Sequence, residues 1–151
     1  MRRQAGFTLI ELITVVVILG ILSAFALPRF AGLEAQARMA SLQGLAGSVR
    51  SGAALAHSVW LANGGSLNSI KMEGQTIAMD TVTGYPVPTV AGIQLVVSDL
   101  TGFTPAASGA TAFIFSVTGT SPTNCKITYT IGAAAQVPPT VVPTVTLAGC
   151  G

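Results

Sequence analysis

The first thirty residues constrain this chain more than any other stretch, because they combine a long apolar run with a single acid. The run begins at Phe7 and carries no charge from Leu12 to Pro28. As a helix it would span roughly 33 Å, against a bilayer hydrocarbon core of about 30 Å. The segment is therefore long enough to cross a membrane, with Arg2 and Arg3 on the cytoplasmic side.

Glu11 is the unusual member of this run. A carboxylate within a spanning helix costs about 2.5–3.5 kcal/mol at the helix centre and less near an end. One interpretation is that Glu11 lies close enough to the cytoplasmic end to reach headgroups and water. The favoured interpretation is that Glu11 pairs with a cation when such segments pack together. The best candidate is an amino terminus created by cleavage just before Phe7.

The rest of the chain has the composition of one small exported domain. Half of all residues are hydrophobic and only 8% are charged. Removing residues 1–6 would delete Arg2 and Arg3 and leave five bases against five acids. The positive balance therefore belongs to the leader and gives no reason to expect a specific nucleic-acid partner.

Cys125 and Cys150 are the only cysteines, and they are predicted to form a disulfide. A metal site would need histidine or acid companions, and a redox pair is usually C-x-x-C. If the amino terminus is cytoplasmic, everything after Pro28 lies in an oxidising space, where a disulfide is the default.

A conventional secretory signal is the competing interpretation of the amino terminus. It would be cut after Ala26 and would give a secreted or singly anchored binding domain that begins at Leu27. Three features weigh against it: Glu11 lies in the apolar core, Pro28 follows the cut at once, and the helical pattern continues past the site.

The segment Gly6-Phe7-Thr8-Leu9-Ile10-Glu11-Leu12, preceded by a short basic leader, resembles the class III signal of type IV prepilins. The resemblance implies that a membrane prepilin peptidase cleaves between Gly6 and Phe7 and that Phe7 is N-methylated. It also implies that Glu11 attracts the Phe7 amino group of a neighbouring subunit and sets the axial step of a helical homo-oligomeric filament. A pilus assembly ATPase and an inner-membrane platform are the implied partners, since this chain has no nucleotide-binding motif.

A single long helix is predicted from about residue 7 to residue 62, ended by Asn63-Gly64-Gly65. Its second half carries one apolar stripe, formed by Leu42, Leu45, Val49, Ala53, Ala56 and Trp60. A polar line recurs every seven residues on another face, at Arg29, Gln36, Gln43, Arg50 and His57. Gly20 and Pro28 are weak points of the helix, and the resemblance implies that the chain between them is locally extended in a pilus.

Short strands are predicted at residues 70–72 and 76–79, a short helix at residues 91–100, and three further strands. The three strands lie at residues 111–117, 125–131 and 141–147. Hairpin-length links favour an antiparallel meander whose apolar face covers the helix stripe.

The predicted fold is α+β, with a C-terminal loop bounded by the disulfide, and resembles the type IVa pilin fold. It has three parts: a leader at 1–6, an apolar helix half at 7–30 and a domain at 31–151. Three short segments resemble the mannose-sensitive haemagglutinin (MSHA) branch: residues 42–45, 84–86 and the region from Asn124 to Cys150.

The sequence contains no recognisable set of catalytic residues. His57 is the only histidine and falls on the polar line, which favours a solvated or interfacial side chain over a catalytic one. Trp60 fits the core stripe. No phosphate loop occurs, and no metal site or cofactor is predicted. The expected role is a structural pilus subunit held in the inner membrane before assembly, with a type II secretion pseudopilin or a minor pilin as the alternative.

Overall fold

The computed structural model describes residues 6–121 and 123–151, without the side chains of Leu27, Pro28 and Ala31. All of the expected leader except Gly6 lies outside the described residues.

The chain is built on one helix, α1, which spans Leu9–Ala62 and contains 54 residues. Thr8 caps its first turn and Asn63 ends it, so the predicted helix is confirmed to within two residues. The helical backbone runs without a break through Gly20 and Pro28. An extended Gly20–Pro28 segment stays a prediction for the assembled filament.

Two antiparallel sheets follow the helix. The first is a hairpin of β1 (Ser69–Met72) and β2 (Gln75–Ala78). The second has the strand order β3-β4-β5-β6. Its strands are β3 (Phe103–Ala107), β4 (Ala112–Val117), β5 (Cys125–Thr130) and β6 (Thr140–Val145), and a short helix α2 (Leu147–Cys150) closes the chain. The predicted hairpin, the meander and the α+β class are confirmed.

The core lies between the second half of α1 and the inner face of the larger sheet. All six residues of the predicted stripe, from Leu42 to Trp60, are buried. The sheet contributes side chains that alternate along its two central strands, as a half-buried sheet requires. These are Phe113, Phe115, Cys125, Ile127 and Tyr129, none of which is exposed.

The helix predicted at residues 91–100 is wrong, because only one 3-10 turn forms there, at Ile93–Val96. Gly92 precedes it with a non-helical backbone (φ −108°, ψ −104°), and Val97 follows in an extended conformation. Ile93 and Val96 are both buried. Their spacing therefore reflects contact with the core and not one face of an amphipathic helix.

The sequence also failed to predict β3 and α2. Proline lacks the N–H that a ladder needs, and Pro105 lies in the middle of β3. Proline is tolerated at this position because β3 is an edge strand of the sheet. The opposite edge, β6, carries Pro143 in the same way, where it lies opposite Ile127.

His57 does not lie on a solvated polar face. Its ring is half-buried and stacks on Tyr85, with the ring centroids 4.2 Å apart. Its Nδ1 atom lies 2.7 Å from the Gly84 carbonyl oxygen, a distance at which the ring N–H donates a hydrogen bond. Arg50, also on the predicted polar line, donates to the Val141 carbonyl oxygen at 2.6 Å. These two residues therefore tie the helix to the segments that cover it.

Candidate assembly site at the start of the long helix

The first part of α1 is an apolar surface that the chain itself does not cover. Leu9–Ala26 has a mean hydropathy of 2.6, and none of this window is buried. Phe7, just before it, is 90% exposed. Eighteen residues of helix measure roughly 27 Å, close to the thickness of a bilayer core. A continuous apolar surface of this size is covered in use by lipid or by other protein.

A capping box holds Glu11 at the start of this surface. The Thr8 hydroxyl donates to Glu11 Oε2 at 2.7 Å, and the Thr8 backbone N–H donates to the same oxygen at 2.9 Å. In return the Glu11 N–H donates to Thr8 Oγ1 at 3.3 Å. The carboxylate thereby satisfies donors of the first helical turn and complements the positive end of the helix.

The capping box leaves Glu11 able to take a further partner. Both hydrogen bonds from Thr8 end on Oε2, so neither occupies Oε1. Phe7 lies four residues before Glu11 and just outside α1, on the amino-terminal side of the Thr8 cap. The sequence contained the signal for this arrangement, since Thr8-Leu9-Ile10-Glu11 is the S/T-x-x-E pattern of a capping box.

The predicted disulfide forms at the other end of the chain. Cys125 and Cys150 are bonded, with their Cα atoms 5.1 Å apart, and both are fully buried. Arg38 of α1 donates a hydrogen bond to the Cys150 carbonyl oxygen at 2.9 Å. Arg38 also pairs with Glu34 one turn earlier. The disulfide-bounded region is therefore anchored to the long helix by a charged side chain.

The two aspartates of the domain build turns. Asp80 Oδ1 accepts from the N–H groups of Val82 and Thr83, and Asp99 Oδ1 accepts from the Thr101 N–H at 2.8 Å. The hydrogen bonds from Thr101 hold the pKa of Asp99 below its usual value. Within residues 6–121 and 123–151, no three His, Cys, Asp or Glu side chains are grouped as metal ligands.

A groove of about 750 Å³ runs beside α1. The helix forms one wall with Ser51 and Leu55, the hairpin forms another with Met72 and Glu73, and the segment after the 3-10 helix adds Asp99. These residues are far apart in sequence, so no local pattern could have indicated the groove.

Comparison with known proteins centres on the capped apolar segment. The family described as the prokaryotic N-terminal methylation motif matches residues 1–27. Residues 1–27 carry that motif. It covers the Gly6-Phe7 junction, the Thr8–Glu11 capping box and the whole Leu9–Ala26 window.

One relative in Thermus thermophilus is similar over a longer stretch. It is named type IV narrow pilus major component PilA5, and 54% of residues are identical over 54 positions. That stretch is 36% of this chain and 47% of the relative, so the chain matches about half the length of this protein. No solved structure matches the chain significantly.

Proposed function

We propose that this chain is the structural subunit of a type IV pilus and assembles through residues 7–30 into a surface filament for adhesion, motility or both. One observation carries the proposal: a methylation motif lies on a capped, 18-residue apolar helix segment with no buried residue. The name of the Thermus relative supports it. The role is structural and not catalytic, and it needs no cofactor.

Processing divides the proposed subunit into three parts. A prepilin peptidase removes residues 1–6 by cleaving between Gly6 and Phe7, and Phe7 is N-methylated. Residues 7–30 are first a membrane anchor and then the filament core, while residues 31–151 form the outer domain. The exposed Phe7 beside the capped first turn supports a cleavage point at this junction.

Assembly replaces lipid around the apolar segment with other subunits. The precursor is held in the inner membrane with its domain on the periplasmic side, and Glu11 of one subunit receives the Phe7 amino group of a neighbour. Pairing removes the cost of a lone charge within the membrane. A pilus assembly ATPase and a platform protein supply the work. In the filament, the chain between Gly20 and Pro28 extends, as the resemblance to type IV pilins implies. Pro28, which has no N–H to donate to residue 24, is a weak point of the helix there.

The pilus is favoured over a type II secretion pseudopilin, because the Thermus relative is named as a major pilus component. We also propose placement near the MSHA branch. This finer placement is supported by the segments at residues 42–45 and 84–86 and by the disulfide-bounded region from Cys125 to Cys150.

Mass spectrometry of the amino-terminal peptide from sheared surface fibres tests the proposal. We expect a peptide that begins with N-methylated Phe7. A peptide that begins at Leu27 would show an ordinary signal peptide and would contradict the proposal.

Glu11→Ala tests the assembly role separately. We expect processed subunit that stays in the membrane and forms no filaments. Glu34→Ala is the matched control, because it removes an exposed acid of the same helix outside the apolar segment, together with an ion pair to Arg38 within the chain. Normal piliation in Glu11→Ala would refute the role of Glu11 in setting the axial step.

A further inference from the structure

The groove beside α1 carries two acids, Glu73 and Asp99, and no base among the described residues lines it. Glu73 stands on the hairpin turn at one side, and Asp99 stands beyond the 3-10 helix at another. Both are exposed. Among the described residues, no Lys or Arg lines the groove, and Lys71 in the same hairpin is not part of its wall. Leu55 and Met72 add apolar surface, so the groove fits a side chain with an alkyl stem and a cationic head.

Arg29 carries the charge opposite to that of the groove. It is exposed at the end of the apolar part of α1, one residue before the exposed ring of Phe30. The nearest acid along the helix is Glu34, and Arg38 already pairs with it. If the apolar part becomes a filament core, Arg29 lies at the border of that core, where an unpaired cation is costly.

We propose that the groove receives Arg29 of a second copy of this chain, whose guanidinium pairs with Glu73 and Asp99. This inference rests on the proposed function, because burial of the apolar segment is what places Arg29 at an interface. The pairing adds a contact between the domain of one subunit and the helix of another.

The pairing fixes an axial offset between the two copies. Subunits inserted in one orientation lie parallel, and Ser51 of the groove wall lies 22 residues after Arg29 on the same helix. At 1.5 Å per residue, the second copy must be displaced by roughly 33 Å toward the domain end of the first. The offset must equal a whole number of axial steps set by Glu11 and Phe7.

Charge reversal with rescue tests the proposal in cells. The variants are Arg29→Glu, the double variant Glu73→Lys with Asp99→Lys, and the triple variant that combines them. Lys126→Glu is the control, since it reverses a half-exposed base on the large sheet. Sheared fibre and processed subunit in the membrane are both measured, and circular dichroism of subunit extracted in detergent checks that each variant is folded.

We expect Arg29→Glu and the double variant each to lower fibre yield at least about tenfold, because like charges would then face each other. Processed subunit in the membrane should not change. The triple variant should recover to within about twofold of the original yield, because the attraction is restored with opposite signs. Lys126→Glu should assemble normally.

Three results would overturn the proposal: normal fibre yield in Arg29→Glu, no recovery in the triple variant, or an equal loss in Lys126→Glu. The first of these results, combined with a loss in the double variant, would mean that the groove receives a different partner. Absence of this chain from fibres of the unmodified strain would instead refute the proposed function itself, and the inference with it.

Discussion

The Thr8 hydroxyl lies 2.7 Å from Glu11 Oε2 and donates a hydrogen bond to it, at the point where the apolar helix begins. One oxygen of the acid, Oε2, is therefore already hydrogen-bonded within its own chain before any neighbour arrives. A carboxylate held in this way presents a fixed acceptor at the helix start, so less conformational freedom is lost when an intermolecular partner binds.

Thr8→Val should loosen the first turn of α1 while keeping the shape of the side chain. It removes the hydroxyl that donates to Glu11 Oε2 and accepts from the Glu11 N–H. Loss of such a cap costs about 1 kcal/mol. Hydrogen exchange of the Glu11 and Leu12 amides, whose N–H groups are bonded to Thr8, should accelerate about fivefold in detergent micelles. Thr8→Ser keeps the hydroxyl and should exchange like the original chain, and equal exchange in the two variants would contradict a capping role.

Gly84→Ala should destabilise the domain much more than Gly102→Ala. Both glycines have positive φ values, 74° and 84°, so alanine costs about 1–2 kcal/mol at either position. A Cβ atom at Gly84 would also lie 2.5 Å from Trp60 Cζ3 and 2.9 Å from His57 Nδ1, whereas Gly102 has no neighbour within 4 Å. Crowding of this kind adds about 1–3 kcal/mol.

Urea unfolding of the full chain in detergent measures the free energy of unfolding of the two glycine variants. Equal losses in Gly84→Ala and Gly102→Ala would show that backbone conformation alone requires the glycines. A larger loss in Gly84→Ala would confirm the close packing of this loop on His57 and Trp60.

Glu73→Asn should stabilise the hairpin. Glu73 and Gly74 form its two-residue turn, and both have positive φ values, 49° and 79°. Asparagine adopts this left-handed conformation far more readily than glutamate, and type I′ turns favour Asn-Gly. We expect a gain of about 1 kcal/mol in the free energy of unfolding. Glu73→Gln removes the same charge without easing the backbone, so a gain of similar size in that control would assign the effect to charge.

The domain should lose stability at alkaline pH because of the buried Tyr129 hydroxyl. Its hydroxyl donates to the Pro86 carbonyl oxygen at 2.8 Å, and burial raises the pKa of Tyr129 well above its usual value of 10. The folded state therefore keeps a proton that the unfolded state releases. The stabilisation is complete below pH 10 and is lost as the pH rises from 10 toward the folded pKa.

Tyr129→Phe separates these effects. It should cost about 1–3 kcal/mol at neutral pH, because the buried Pro86 carbonyl loses its donor, and it should flatten the loss of stability between pH 10 and 11. Tyr85→Phe is the control, since it retains the Tyr129 hydroxyl and should keep that loss. Unfolding measured from pH 7 to 11 decides between them, and an unchanged alkaline slope in Tyr129→Phe would assign the slope to other groups.

The features predicted from sequence are those with a local signal. The stripe from Leu42 to Trp60 repeats at helical spacing, so it identified the face that packs on the sheet. The pairing of Cys125 with Cys150 followed from the compartment in which the domain was expected. The Thr8–Glu11 capping box also has a local signal, the S/T-x-x-E pattern, although the sequence-based prediction gave Glu11 only an external partner.

The features that sequence reasoning missed depend on tertiary position. Pro105 argues against a strand unless that strand is known to be an edge, and edge position is decided by the whole sheet. His57 was assigned to a polar face because the heptad spacing cannot show that the loop at Gly84 folds over the helix. The groove joins Ser51, Met72 and Asp99, which have no relation in the sequence until the chain folds.

The prolines at the two edges of the large sheet limit how copies of the proposed subunit could join. Pro105 and Pro143 each interrupt a row of backbone donors on an outermost strand. Strand-by-strand growth between neighbouring domains, the route to cross-β aggregates, is therefore obstructed on both sides. In the proposed life cycle, subunits concentrated in a membrane and then packed side by side would meet their own copies at very high density. With both edges of the large sheet obstructed, copies of the proposed subunit would join through the apolar helix and not through that sheet.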